Sequence, residues 1–199
     1  EINQNKYMKT VKQITKIKLK DDGLKGAEVT YIHPQEKNGS VFANEHVEKR
    51  KHPIHTDFET HINELRNFLL DTCGYYTGDL TVAKKDYLIS ECKVIAIELK
   101  GADRFKIIGE LRTIGDKAIK IASPEVVDVD DYEFFATVMH IIESIKIETH
   151  EYMAGKKKLE DHEFMAKIAK RNNDEVLIKE MKDMSKKEIH DWCAKLLEK

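Results

Sequence analysis

Residues 92–122 read CKVIAIELKGADRFKIIGELRTIGDKAIKIA, and this stretch decides the fold. Three short apolar-rich runs, Cys92–Leu99, Phe105–Leu111 and Ala118–Ala122, are separated only by turn residues, Lys100-Gly101 and then Gly115-Asp116. Isoleucine and valine pack well on a pleated surface, and glycine supplies the positive φ of a tight turn. Links this short favour an antiparallel meander, because parallel strands need a long crossover. The third run stops at Ser123-Pro124, where proline removes a backbone donor.

A second set of strands lies upstream. Thr10–Lys20 alternates apolar and polar residues through Val11, Ile14, Ile17 and Leu19. Asp21-Asp22-Gly23 makes a turn, and Ala27–Ile32 resumes the β pattern, so the pair predicts a hairpin. Asn38-Gly39 is a further turn signal, and Ser40-Val41-Phe42-Ala43 could open a third strand. The polar run Glu45–Lys51 then suits either a charged edge strand or a loop.

Helices follow each set. Thr56-Asp57-Phe58-Glu59 has the form of a capping box, in which Thr56 and Glu59 satisfy each other's backbone donors. Phe58, Ile62, Leu65, Leu69 and Leu70 recur at helical spacing until Cys73-Gly74. Residues 75–90 read as a long connection carrying Tyr75, Tyr76 and Tyr87. Asp130-Asp131 opens a second helix, predicted to run to about Met153. Its wide apolar face runs from Phe134 and Phe135 through Ile141, Ile142 and Ile145 to Tyr152. Gly155 and three lysines close it. The tail is rich in charge and helical in propensity. Ser185–Glu188 is a second capping box, leading into Ile189, Trp192, Cys193, Leu196 and Leu197. The order of elements predicts an α+β protein. Residues 1–155 make an antiparallel sheet of five to six strands with two main helices on one face. Residues 156–199 make a charged, helical C-terminal appendage.

The whole chain, 199 residues with a net charge of −2, has no global attraction to nucleic acid or anionic lipid, so such binding needs a local patch. Cys73, Cys92 and Cys193 are odd in number and far apart, without a CxxC. Neither a disulfide framework nor a cysteine zinc site is expected, and a reducing cytoplasm is the simplest reading. No apolar run approaches membrane-spanning length, and no signal peptide is evident. The chain starts at Glu1, which reads as processed or trimmed, with Met8 a candidate native start.

Five of the nine histidines fall between residues 33 and 61. His52 and His55, with His61 or Asp57, are the candidate ligands of a divalent metal, the one cofactor these residues suggest, and the His52, His55 and His61 cluster makes a metal-dependent enzyme an alternative reading. Against that, no HExxH or zinc-finger spacing is present, and histidines beside a helix start are ordinary surface residues. Nucleophile elbows and glycine-rich phosphate loops are absent too, so a non-enzymatic protein is expected. A binding surface is the stronger reading. Lys9, Lys12, Lys16, Lys18 and Lys20 decorate the first strand, and the last three share one face at period two. Lys49, Arg50 and Lys51 add charge, and Tyr75 and Tyr76 offer rings that could stack on bases. That composition fits single-stranded nucleic acid better than duplex grooves. The competing reading is a solvated strand face that resists aggregation. Trp192 and Leu196 on the last helix are candidates for docking a protein partner, with docking on their own core as the alternative. Assembly into a homo-oligomer belongs to the same reading.

Four landmarks carry a resemblance. They are the basic opening hairpin, the His55-Thr56-Asp57-Phe58 helix start, the meander ending at Ser123-Pro124, and the long helix finishing at Tyr152-Met153-Ala154-Gly155. In their order they resemble small uncharacterised α+β proteins of bacteriophages and prophages of gut bacteria. The likeness spans residues 10 to 158 and leaves out the tail. It implies a role in the infected cell's cytoplasm, on nucleic acid or a partner in DNA metabolism, and carries over no catalytic residue.

Overall fold

A computed structural model describes residues 13–37, 40–78, 80–101, 103–113 and 117–197, the side chains of 34–42 apart. The strands are β1 (Gln13–Leu19), β2 (Ala27–Lys37), β3 (Ser40–Arg50), β4 (Cys92–Lys100), β5 (Arg104–Arg112) and β6 (Ala118–Ala122). They form one antiparallel sheet in the order β3-β2-β1-β4-β5-β6. The order is symmetric. Two three-stranded meanders meet at the centre through β1 and β4, where Ile17 lies opposite Ile97. The helix α1 (Thr56–Thr72) follows the first meander, and α3 (Phe135–Met153) the second. The Asn38-Gly39 and Gly115-Asp116 turns, Val11, Lys9 and Lys12 lie outside the described residues.

Side-chain alternation explains the layering. Ile17, Val29, Ile97 and Ile107 point to one face, where they meet Phe58, Leu65 and Leu69 of α1 and Val138, Ile142 and Ile145 of α3. Each such side chain contributes about 1.5–3 kcal/mol when fully buried. Two glycines allow close approach. A Cβ on Gly109 would stand 2.5 Å from the Leu69 side chain, so glycine lets α1 settle onto β5. Gly26 has a φ of +89°, and a Cβ there would lie 1.9 Å from the Arg50 carbonyl oxygen. Only glycine admits both that backbone and that contact.

Several boundaries differ from the sequence reading. The run after Ala43 is part of edge strand β3, the charged-edge alternative. The connection after Tyr76 contains a helix, α2 (Val82–Glu91), whose N-terminus Thr81 caps by accepting from the Lys84 N–H. None of its residues is buried, so it lacks the apolar stripe that reveals a helix in sequence. The helix α3 begins at Phe135 rather than Asp130. Asp128 accepts from the Asp130 and Asp131 N–H groups, and Asp131 from that of Val127. These turn bonds compete with helix formation. The N-cap of α1 is His55, one residue before the expected Thr56.

Beyond Gly155 come α4 (Asp161–Arg171), α5 (Glu175–Glu180) and α6 (Lys186–Leu197). Phe164, Met165, Ile189 and Cys193 form a second apolar cluster, which Leu24 of the β1–β2 turn joins. The capping box at Ser185 and Glu188 is formed reciprocally. No described helix is long and apolar enough to cross a membrane.

Candidate functional site

The sheet has a second face, away from α1 and α3. Cross-strand register assigns its residues, because directly opposed residues share a face. One row runs Val47, Thr30, Lys16, Glu98, Lys106. The next runs Lys49, Glu28, Lys18, Ala96, Ile108, Ala122. Lys100 and Arg104 oppose each other, as do Glu110 and Lys120. The helices pack elsewhere: α1 against α3, β4 and β5, α2 at the ends of β4 and β5, and α4 against α5 and α6. With strands about 4.8 Å apart, the face is about 24 Å across.

Its electrostatics are unbalanced. Lys16 holds Glu98 at 2.7 Å, and Lys49 holds Glu28 at 3.1 Å. These hydrogen bonds, with further lysines behind them, pull both carboxyls below their ordinary range despite the opposing effect of burial. Lys18, Arg104, Lys106 and Lys120 form no ion pair among the described residues. A chain with a slight negative net charge therefore concentrates cations on the sheet face that its main helices leave open.

The sequence candidates are distributed unevenly around this face. Lys16 and Lys18 lie on it with Lys49, and Lys20 lies 4.0 Å from Glu28 at its margin. Arg50 does not join them. Its guanidinium donates to the Met153 carbonyl at the C-terminus of α3. Lys51 lines a cleft between the β1–β2 turn and the tail. Tyr75 and Tyr76 pack against the core behind α1, and the Tyr76 hydroxyl donates to Asn67 at 2.8 Å. The rings expected to stack on bases are thus apart from the lysines. Trp192 and Leu196 pack against the tail's own apolar cluster. The sequence reading missed Lys106, Lys120 and Arg104. Their period-two spacing was visible, but only strand order places them beside Lys16 and Lys18.

The histidines separate as well. His55 comes together with Asp57 and Glu148, within 4.8 Å of one another by their ligand atoms, rather than with His52 or His61. His61 lies 3.4 Å from Glu64, and His52 is exposed. The His55 ring is buried between Phe58 and Tyr152. Its Nδ1 accepts from the Phe58 N–H at 3.3 Å, so the neutral ring carries its proton on Nε2. Nε2 faces Glu148 at 3.4 Å without a formed hydrogen bond. Burial pushes the imidazole below its ordinary value, and Glu148 pulls against it. Lys157 Nζ stands 2.9 Å from Glu148, 3.1 Å from Asp57 and 3.2 Å from Glu151. The ammonium thus bonds two of the three candidate ligands, Asp57 and Glu148, and these carboxylates raise its pKa. As built, the cluster is a clasp tying α3 and the tail to the start of α1.

The cysteines offer no reactive thiolate. Burial pushes Cys92 and Cys193 up to about 11 each, and Cys73 is raised by the same cause. No protein-family model, curated protein or solved structure matches this chain, so the reading of the site stands on geometry.

Proposed function

We propose that this protein binds nucleic acid by laying a single strand across the open face of its sheet, without catalysis. The observation that carries the reading is the face itself: Lys18, Lys106, Arg104 and Lys120, without an ion pair among the described residues and spread over both meanders. A strand following this surface meets cations from β1, β5 and β6 in turn. Ala96 and Ile108 leave a low, apolar middle beside the lysines. Because the tyrosines lie elsewhere, recognition rests on the phosphate backbone and is tolerant of sequence.

Fluorescence anisotropy with single-stranded DNA and RNA at low salt is the test. The double charge reversal Lys18→Glu with Lys106→Glu is expected to weaken binding at least tenfold. The same reversals at Lys182 and Lys187 of the tail should leave it intact. Equal loss from both pairs would reduce the effect to net charge, and no binding by the native chain would end the proposal.

A further inference from the structure

A second cationic feature lies on the opposite side of β1, in the cleft where α1 faces α4. Its volume is about 590 Å³, within the range of small-molecule sites. Ile54, Ile62 and Val94 give it apolar walls, while Arg66, Lys93, Lys167, Lys170 and Arg171 supply charge. Most of that charge is already matched: Lys93 pairs with Asp22, Lys167 with Glu59, and Arg171 with Asp21 at 2.6 Å. Arg66 and Lys170 are not matched by any described residue. The Arg66 Nε is moreover buried without a hydrogen-bond acceptor. A buried donor left unsatisfied is costly, so Arg66 is a guanidinium at the cleft wall whose hydrogen-bonding capacity the described residues leave unused.

We infer that this cleft binds a small phosphate monoester. The guanidinium fork of Arg66 matches two oxyanion oxygens, and Lys170 adds the second positive charge that a dianion calls for. The apolar walls accommodate the organic portion, and Ser90 and Asn63 at the rim offer polar contacts to it. Ion pairs on either side hold the frame in place, since Lys167 ties α4 to Glu59 of α1 and Arg171 ties it to the β1–β2 turn. The site is therefore built jointly by the sheet layer and the tail. Arg66 and Lys170 lie on α1 and α4 rather than on the open sheet face, so the site does not depend on nucleic-acid binding.

Phenyl phosphate is a suitable probe, with inorganic phosphate and phenol as its two halves. Titration calorimetry on the full chain at low ionic strength is expected to show saturable binding of phenyl phosphate, weaker binding of phosphate, and none of phenol. Arg66→Met should lower affinity at least tenfold. Lys170→Ala, an exposed change that leaves the fold alone, should lower it severalfold and decides the matter if the Arg66 variant does not fold. Lys18→Glu with Lys106→Glu should change nothing here. No saturable binding of phenyl phosphate overturns the inference. So does binding that survives Lys170→Ala unchanged, or that is lost with the sheet-face reversals.

Discussion

His55 shows how one residue can carry several constraints. It caps α1 through Nδ1, fills space between Phe58 and Tyr152, and faces Glu148 beside Lys157 and Asp57. Burial is the largest influence on its pKa and lowers it from the ordinary 6.5. The unfolded chain then takes up a proton at a higher pH than the folded one. Stability from this residue is complete above 6.5 and is lost as pH falls from there through the folded value. The urea midpoint should therefore drop between about pH 7.5 and pH 5.5, a window set by imidazole rather than carboxylate titration. Asparagine at this position keeps a capping oxygen and does not titrate. His55→Asn should flatten the curve in that window, and a drop as steep as in the native chain would refute the assignment. Before the structure, His55 was legible as a ligand candidate and as a residue that helps to set the helix entry. Its role as cap was hidden because Thr56 next to it is the better capping residue by type.

At the scale of elements, apolar periodicity was legible and a helix that buries nothing was not. The first helix and the three-strand meander declare themselves through apolar periodicity, which survives any arrangement of neighbours. The helix α2 buries nothing and was read as a connection. The start of α3 moved because three aspartates closed a turn first. Arg50 is the clearest reassignment. In sequence it belongs to a basic run, but in the fold it donates to the Met153 carbonyl, the last of α3, and opposes the negative end of that helix. Arg50→Gln is expected to cost about 1–3 kcal/mol in urea unfolding, the worth of a charged hydrogen bond to a partner left unsatisfied. Oligonucleotide affinity should be unaffected. Stability unchanged with binding lost would return Arg50 to the nucleic-acid surface.

For the whole molecule, the decisive property is the separation of charge from net charge. A composition close to neutral hides a face on which cations outnumber carboxylates, and ionic strength is the direct probe of it. If about four phosphates are neutralised, log affinity for single strands should fall with log salt at a slope of about −3. The reversal of Lys18 and Lys106 should take the slope toward zero by about 1.4. A slope near zero in the native chain would mean that the face is merely solvated.

By itself the sequence determined the α+β class, the opening hairpin, the later three-strand meander and the two main helices, because hydrophobic period is a local property. The Lys16, Lys18 and Lys49 part of the surface was legible for the same reason, through alternation along single strands. Only the tertiary structure decided that β1 pairs with β4, and so that Lys106 and Lys120 join those lysines on one face. It also decided that Tyr75 and Tyr76 stay behind α1, and that Arg66 and Lys170, 104 positions apart in the chain, line one cleft. These are outcomes of strand order and helix packing. They depend on contacts between residues far apart in sequence, which no local pattern encodes.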